Sequence, residues 1–112
     1  LAAVLRLGGK EVNMEPVASF PWPWTHVDDT VLVKTGAGAL HTIVVNGLTT
    51  AGDITVYDGI DATGTIIAVL HLDPTTSVSV QPITFVYDLK IETGIYIDYD
   101  QAVAANLTVT YK

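Results

Sequence analysis

The sequence predicts an all-β protein: a single β-sandwich or jelly-roll-like domain of seven to eight strands, preceded by an extended N-terminal arm. Three observations carry this. From Thr30 to Lys112, short runs rich in Val, Ile, Thr and Tyr are punctuated by Gly, Asp, Asn or Pro at intervals of ~8–12 residues. Several of these runs alternate apolar and polar residues with the period of two that a half-buried strand requires. No stretch shows the 3.6-residue apolar stripe of an amphipathic helix. The length of 112 residues suits one domain, large enough to bury somewhat over ~60% of its unfolded surface.

Residues 1–29 form the arm and residues 30–112 the body. The opening Leu1 to Leu7 is apolar but carries Arg6 inside it, whereas a signal peptide would place its charge first, so that reading is rejected. Pro16, Pro21 and Pro23 fix their own φ and push the residues before them into extended geometry. Phe20-Pro21-Trp22-Pro23-Trp24 therefore reads as a stiff extended segment holding both tryptophans, unsuited to a helix or a central strand. Phe20, Trp22 and Trp24, supported by Leu5 and Leu7, are the candidate protein-contact residues. The alternative for the tryptophans is anchoring of the segment onto a hydrophobic face of its own domain.

Along the body, Thr30–Thr35 and Leu40–Asn46 are expected to pair as a hairpin across Gly36-Ala37-Gly38. Asn46-Gly47 and Ala51-Gly52-Asp53 then punctuate the chain. Ile54–Tyr57 makes the next strand, and Asp58 to Gly64 a long loop. Thr65–Leu72 follows and closes at Asp73-Pro74; a short strand is expected around Val78 and Val80. Ile83 to Lys90 alternates cleanly, Glu92-Thr93-Gly94 turns the chain into Ile95–Tyr99, and Leu107, Val109 and Tyr111 mark the last strand. A brief helical turn is the most that Gln101–Ala105 can form.

Composition narrows the function. Only 15% of residues are charged, against roughly 25% in an average soluble domain, while 49% are hydrophobic. A small domain with so few charges is expected to bury part of its surface against copies of itself or a partner. The net charge is −7, and the five cations Arg6, Lys10, Lys34, Lys90 and Lys112 are scattered. Affinity for nucleic acid comes from neutralising phosphates, so nucleic-acid partners are disfavoured, as are anionic membranes. No apolar run approaches the ~20 residues of a membrane helix. Cysteine is absent, which removes disulfides, thiolate nucleophiles and cysteine-rich zinc sites.

Motifs for chemistry are equally sparse. His26, His41 and His71 share no metal-ligand spacing, and Ser19, Ser77 and Ser79 lie outside any nucleophile-elbow context. Most acids sit at turns, where Asp caps backbone N–H groups. Asp98 and Asp100 with Asp28 and Asp29 could offer oxygen ligands to calcium, but no D-x-D-x-D-G loop supports it. Asp58 to Gly64 lacks the Gly-Lys-Ser/Thr of a phosphate loop. Asn106-Leu107-Thr108 matches a glycosylation acceptor yet falls inside a strand. No metal or cofactor is expected, and no enzymatic machinery.

Three stretches carry a resemblance when taken together: Leu32-Val33-Lys34-Thr35-Gly36-Ala37-Gly38-Ala39-Leu40-His41, then Ile54-Thr55-Val56-Tyr57-Asp58-Gly59 with Ala62-Thr63-Gly64-Thr65, and Thr93-Gly94-Ile95-Tyr96-Ile97. In this order they resemble small virion structural proteins of tailed bacteriophages, of the head-decoration (cement) or head-fibre type. The resemblance spans residues 30–112. It implies a β-sandwich or jelly roll on the capsid exterior, often a homotrimer, bound to the major capsid protein and reinforcing the shell. A tail or head-fibre module engaged in host attachment is the first alternative, and a carbohydrate-binding module using Trp22 and Trp24 the second.

Overall fold

Among the described residues ten strands follow one another, and the last eight find their partners by one rule. The computed structural model describes residues 4–7, 10–13, 22–75 and 82–112. Its strands are β1 (Val4–Leu7), β2 (Lys10–Asn13), β3 (Trp24–Val27), β4 (Val31–Thr35), β5 (Gly38–Thr50), β6 (Gly52–Asp58), β7 (Thr65–Leu72), β8 (Ile83–Ile91), β9 (Gly94–Tyr99) and β10 (Ala104–Tyr111). β3 pairs with β10, β4 with β9, β5 with β8 and β6 with β7, all antiparallel. The body is thus one long hairpin whose tip is the loop 59–64. It is rolled so that β5 also lies beside β10, and β6 beside β9. Two four-stranded sheets result, β3-β10-β5-β8 and β4-β9-β6-β7. This nested order is that of a jelly roll, as the strand pattern predicted.

Between the sheets lies an apolar core. Leu40, Ile43, Val45, Leu107 and Val109 from the first sheet meet Ile54, Val56, Ile95 and Ile97 from the second, all with no measurable exposure. Burying each such side chain contributes about 1.5–3 kcal/mol. Among the described residues no polar or charged residue is buried. The nearest approach is Tyr99, whose hydroxyl donates to the carbonyl oxygens of Ala105 at 2.9 Å and Val27 at 3.3 Å. Burial, with Asp28 and Asp29 adding to it, pushes the phenol far above its usual range.

Several expectations need correction. Val31–Thr35 and Gly38–Thr50 are not a hairpin; they belong to different sheets. Gly36, at φ +88°, turns a corner from one sheet to the other, so both strands present apolar residues to the same core. Gly38 then lies so close to the Lys112 carbonyl that a Cβ would sit 1.8 Å from its oxygen. Asn46-Gly47 does not end a strand. It lies within the thirteen-residue β5, where the register with β10 shifts beside Asn46, as it does beside His41 and Thr49. Bulges let a strand this long bend while keeping its apolar phase. The sandwich begins at Trp24 rather than Thr30, because β3 is its edge strand, compatible with the preceding Pro23. β1 and β2 form a separate two-stranded sheet within what was expected to be an extended arm. Gln101-Ala102 is a turn leading straight into β10. The strand expected near Val78 and Val80 lies outside the described residues.

Asp58, at the end of β6, ties the rolled hairpin at one end. Its carboxylate accepts backbone N–H groups of Glu92, Thr93 and Gly94 at 2.8–3.2 Å. Desolvation works to raise its pKa, but the three backbone donors together outweigh it, so the group titrates below the ordinary 3.8. The stabilisation is complete above that value and is lost as pH falls through the lowered folded-state value. Replacing Asp58 with Ala is expected to cost roughly 1–3 kcal/mol at neutral pH in urea unfolding. The difference from wild type should shrink as the solution is acidified below pH 3.8.

Candidate interaction surface

A sandwich whose core takes the apolar positions leaves the alternate positions on its two outer faces. On the first sheet, register sets them in rows. Trp24, Thr110, Thr42 and Val86 are successive cross-strand partners, and His26, Thr108, Val44 and Thr84 form the next row. Neither row contains a carboxylate or an ammonium. Trp24 is 67% exposed at one end of its row and Val86 64% exposed at the other. Both lie on edge strands, where apolar groups are open to a partner.

The hydroxyls between them are held in place. The Thr42 and Thr110 Oγ1 atoms are 2.6 Å apart, and Thr110 Oγ1 also accepts the Thr42 backbone N–H at 3.0 Å. Asn46 Nδ2 donates to Thr108 Oγ1 at 2.9 Å. Side chains already fixed by such bonds lose little freedom on binding. The result is a preorganised face whose two central rows carry no charge, with tryptophan at its rim.

At the Lys112 end of the face, Trp22 closes a small cluster. Its ring stacks on His41 with centroids 4.3 Å apart and planes 14° from parallel. Lys112 Nζ stands 5.6 Å from the Trp22 centroid, within cation–π range. His41 Nδ1 donates to Asp88 Oδ1, since an ionised carboxylate only accepts. His41 occupies the place where β5 shifts register against both neighbours. Asp88, opposite, holds φ at +50°, the one non-glycine residue in the left-handed region among the described residues. Asp tolerates this region better than most side chains, at some strain.

The expected contact residues divide accordingly. Trp22 and Trp24 come together on one face, two residues apart on an extended segment. Trp22 is half-buried against His41, whereas Trp24 stands open. Phe20 lies outside the described residues. Leu5 and Leu7 lie in β1, part of the separate two-stranded sheet. His41 and Asp88 were missed as members of this surface, because their meeting depends on coincident bulges that no local motif announces.

The other candidate chemistries do not assemble. His71 pairs with Asp53 at 2.7 Å on the second sheet, and His26 stands apart on β3. Among the described residues no three His, Cys, Asp or Glu side chains converge as metal ligands. A shallow depression of about 210 Å³ is lined by Asp28, Gly47, Thr49, Ala104, Ala105 and Asn106. It is smaller than the ~300–1,000 Å³ of a typical ligand pocket. No protein-family model matches the chain, and comparison with curated proteins and with solved structures returns no match.

The strain at Asp88 is testable. Asp88→Gly and Asp88→Ala both lose the bond to His41, but only Gly removes the Cβ penalty. The Gly variant should be the more stable of the two by about 1–2 kcal/mol in chemical denaturation. Equal stabilities would show that the left-handed backbone carries no strain.

Proposed function

We propose that this protein is a non-enzymatic structural module that docks on other protein surfaces. Its setting, in this reading, is the exterior of a bacteriophage head, where it binds the major capsid protein as a decoration (cement) protein and reinforces the shell. The observation that carries the docking role is the uncharged outer face of the first sheet, with Trp22 and Trp24 at its rim. Interfaces concentrate their energy in a few aromatic and arginine anchors set in well-packed surroundings, with charges excluded from the centre. This face has that composition. The virion setting rests on the resemblance of the three turn-and-strand stretches within residues 30–112. An acidic chain also suits a position outside the shell, away from packaged DNA.

Lattice display supports the reading energetically. A single contact through one sheet face is modest, but copies linked to one another on a repeating shell gain effective concentration. The tail or head-fibre alternative uses the same fold with loops presented to a host receptor. The carbohydrate alternative draws on one specific observation, the open ring of Trp24 beside ordered hydroxyls, since exposed aromatic faces also stack on sugars.

Gold-labelled antibody against the protein, applied to particles from cells that produce it, should decorate heads at regular positions. Label on tails alone would favour the fibre alternative, and unlabelled particles would overturn the virion reading. With binding established, the Trp22→Ala/Trp24→Ala variant is expected to lose roughly 2–4 kcal/mol of affinity for heads, a thirtyfold or larger effect. The body should stay folded with a modestly lowered unfolding midpoint, because Trp24 is open to solvent while Trp22 loses its stacking on His41. Binding of this variant at wild-type strength would overturn the docking role of this face, and retention on a glycan array by wild type but not the variant would move the conclusion to the carbohydrate alternative.

A further inference from the structure

The second sheet has an outer face and an open edge that the docking role above does not use. Leu32, Tyr96, Tyr57 and Ile66 are cross-strand partners in one apolar row across β4-β9-β6-β7. Asp98 is two residues along β9 from Tyr96, and Asp53 is bonded to His71 on the same side. The row ends on β7, where Ile66 is 57% and Val69 41% exposed. Among the described residues β7 pairs with β6 alone. In an antiparallel pair alternate residues point N–H and C=O away from the partner, so an edge strand presents a row of open donors and acceptors.

The edges of the two sheets are not equally guarded. β3 is four residues long and lies between Pro23 and the Asp28-Asp29 pair. β4 carries Lys34 and slips register against β9 beside Val33. β8 follows Pro82, holds Asp88 in the left-handed region and continues to Lys90. Charges, prolines and bulges of this kind keep edges from pairing. β7 has one such feature, the extra residue Ile67 near the tip, and beyond it residues 68–72 keep unbroken register with β6. No Asp, Glu, Lys, Arg, Pro or Gly occurs anywhere in β7.

Within residues 68–72 the two faces are settled. Ala68 and Leu70 stand opposite the buried Val56 and Ile54 on the core side, with Leu72 two residues on, while Val69 and His71 face outward. A second β7, run antiparallel about a twofold axis at Leu70, pairs all of these residues and matches the faces. Ala68 meets the partner's Leu72, small against large, and Val69 meets the partner's His71. An axis at any other residue leaves part of the segment unpaired. No charged side chain enters the contact. The two copies of Asp53 stand at least three strand spacings, about 14 Å, apart, and the two copies of Asp73 about 20 Å apart along the pair. Both separations exceed the ~8–10 Å over which exposed charges act. We infer that β7 of one copy pairs with β7 of a second, joining their second sheets into one of eight strands. The occupant is a second copy because β7 is the one unguarded edge among the described strands. Its equal in length, charge and apolar phase is therefore itself, and a single contact closes both edges. The Trp22–Trp24 face of each copy stays free.

Light scattering of the full chain across a concentration series is the first test, and the wild type should pass from monomer to dimer. Ala68→Lys sets an ammonium on the core side of the edge, opposite the partner's Leu72, and should raise the dissociation constant about tenfold or more. The second test uses the absence of cysteine from the chain. Directly opposed side chains have Cβ atoms about 4.5–5.5 Å apart and diagonal ones about 7–8 Å, so only the opposed pair is near disulfide distance. A mixture of Val69→Cys and His71→Cys chains should therefore oxidise to a covalent dimer, whereas each variant alone should not. If Ala68→Lys fails to fold, the mixture still decides, because both cysteines replace outward side chains. A wild type monomeric at about 1 mM would overturn the inference. So would a trimer, the state the resemblance implies, or a mixture that cross-links no better than its components. Head labelling is judged separately, since β7 lies in the second sheet and the Trp22–Trp24 face in the first.

Discussion

Everything in this fold depends on one constraint: two sheets must share a single apolar layer with no charge inside it. The chain meets it with Ile, Val and Leu at alternate positions of β5, β6, β9 and β10, the four strands that have neighbours on both sides. Once those positions are committed to the core, everything else along the strands must face outward. In most domains the outward set is rich in Lys and Glu. Here it is Thr, Tyr, Trp and His, because only 15% of the chain is charged. The low charge content is therefore felt as two outer faces that are poorly defended against association, rather than as a larger interior.

Those two faces differ. The first sheet offers ordered hydroxyls bordered by indoles, with His41, Asp88 and Lys112 gathered at one end. The second offers an aliphatic and tyrosine strip leading toward carboxylates. A module with two unlike faces can hold one kind of neighbour on each.

Much of this was readable from the sequence, for a physical reason. Thr65–Leu72 as a strand follows from side-chain alternation and turn residues, both local signals. The jelly-roll class follows from the number and spacing of such strands. What escaped reading was set by pairing at long range. Gly36-Ala37-Gly38 looks like a hairpin turn because glycine marks a change of direction without saying in which plane the chain turns. Asn46-Gly47 reads as a stop, yet β10 keeps pairing past it, as far as Thr50, and carries β5 through. The meeting of His41 with Asp88 depends on two strands slipping register at the same height. Trp22 and Trp24 were legible as a pair because the prolines beside them force extension, but only the position of β3 at a sheet edge distinguishes the anchored ring from the open one.

The nested pairing also governs how the molecule comes into being. β3 emerges first from the ribosome among the strands of the body, and its only sheet neighbour, β10, comes last. Leu107–Thr110 must be synthesised before Trp24–Val27 has anything to pair with. Contacts this distant in sequence make folding slow and postpone it until all eight strands of the sandwich have been made. During that interval Val-rich segments such as Val31–Thr35 and Leu40–Val45 stand unpaired, the condition in which β proteins aggregate. Synthesis of β10 is then the event that commits the body to its fold, and a body truncated before β10 would leave β3 and one side of β5 without partners.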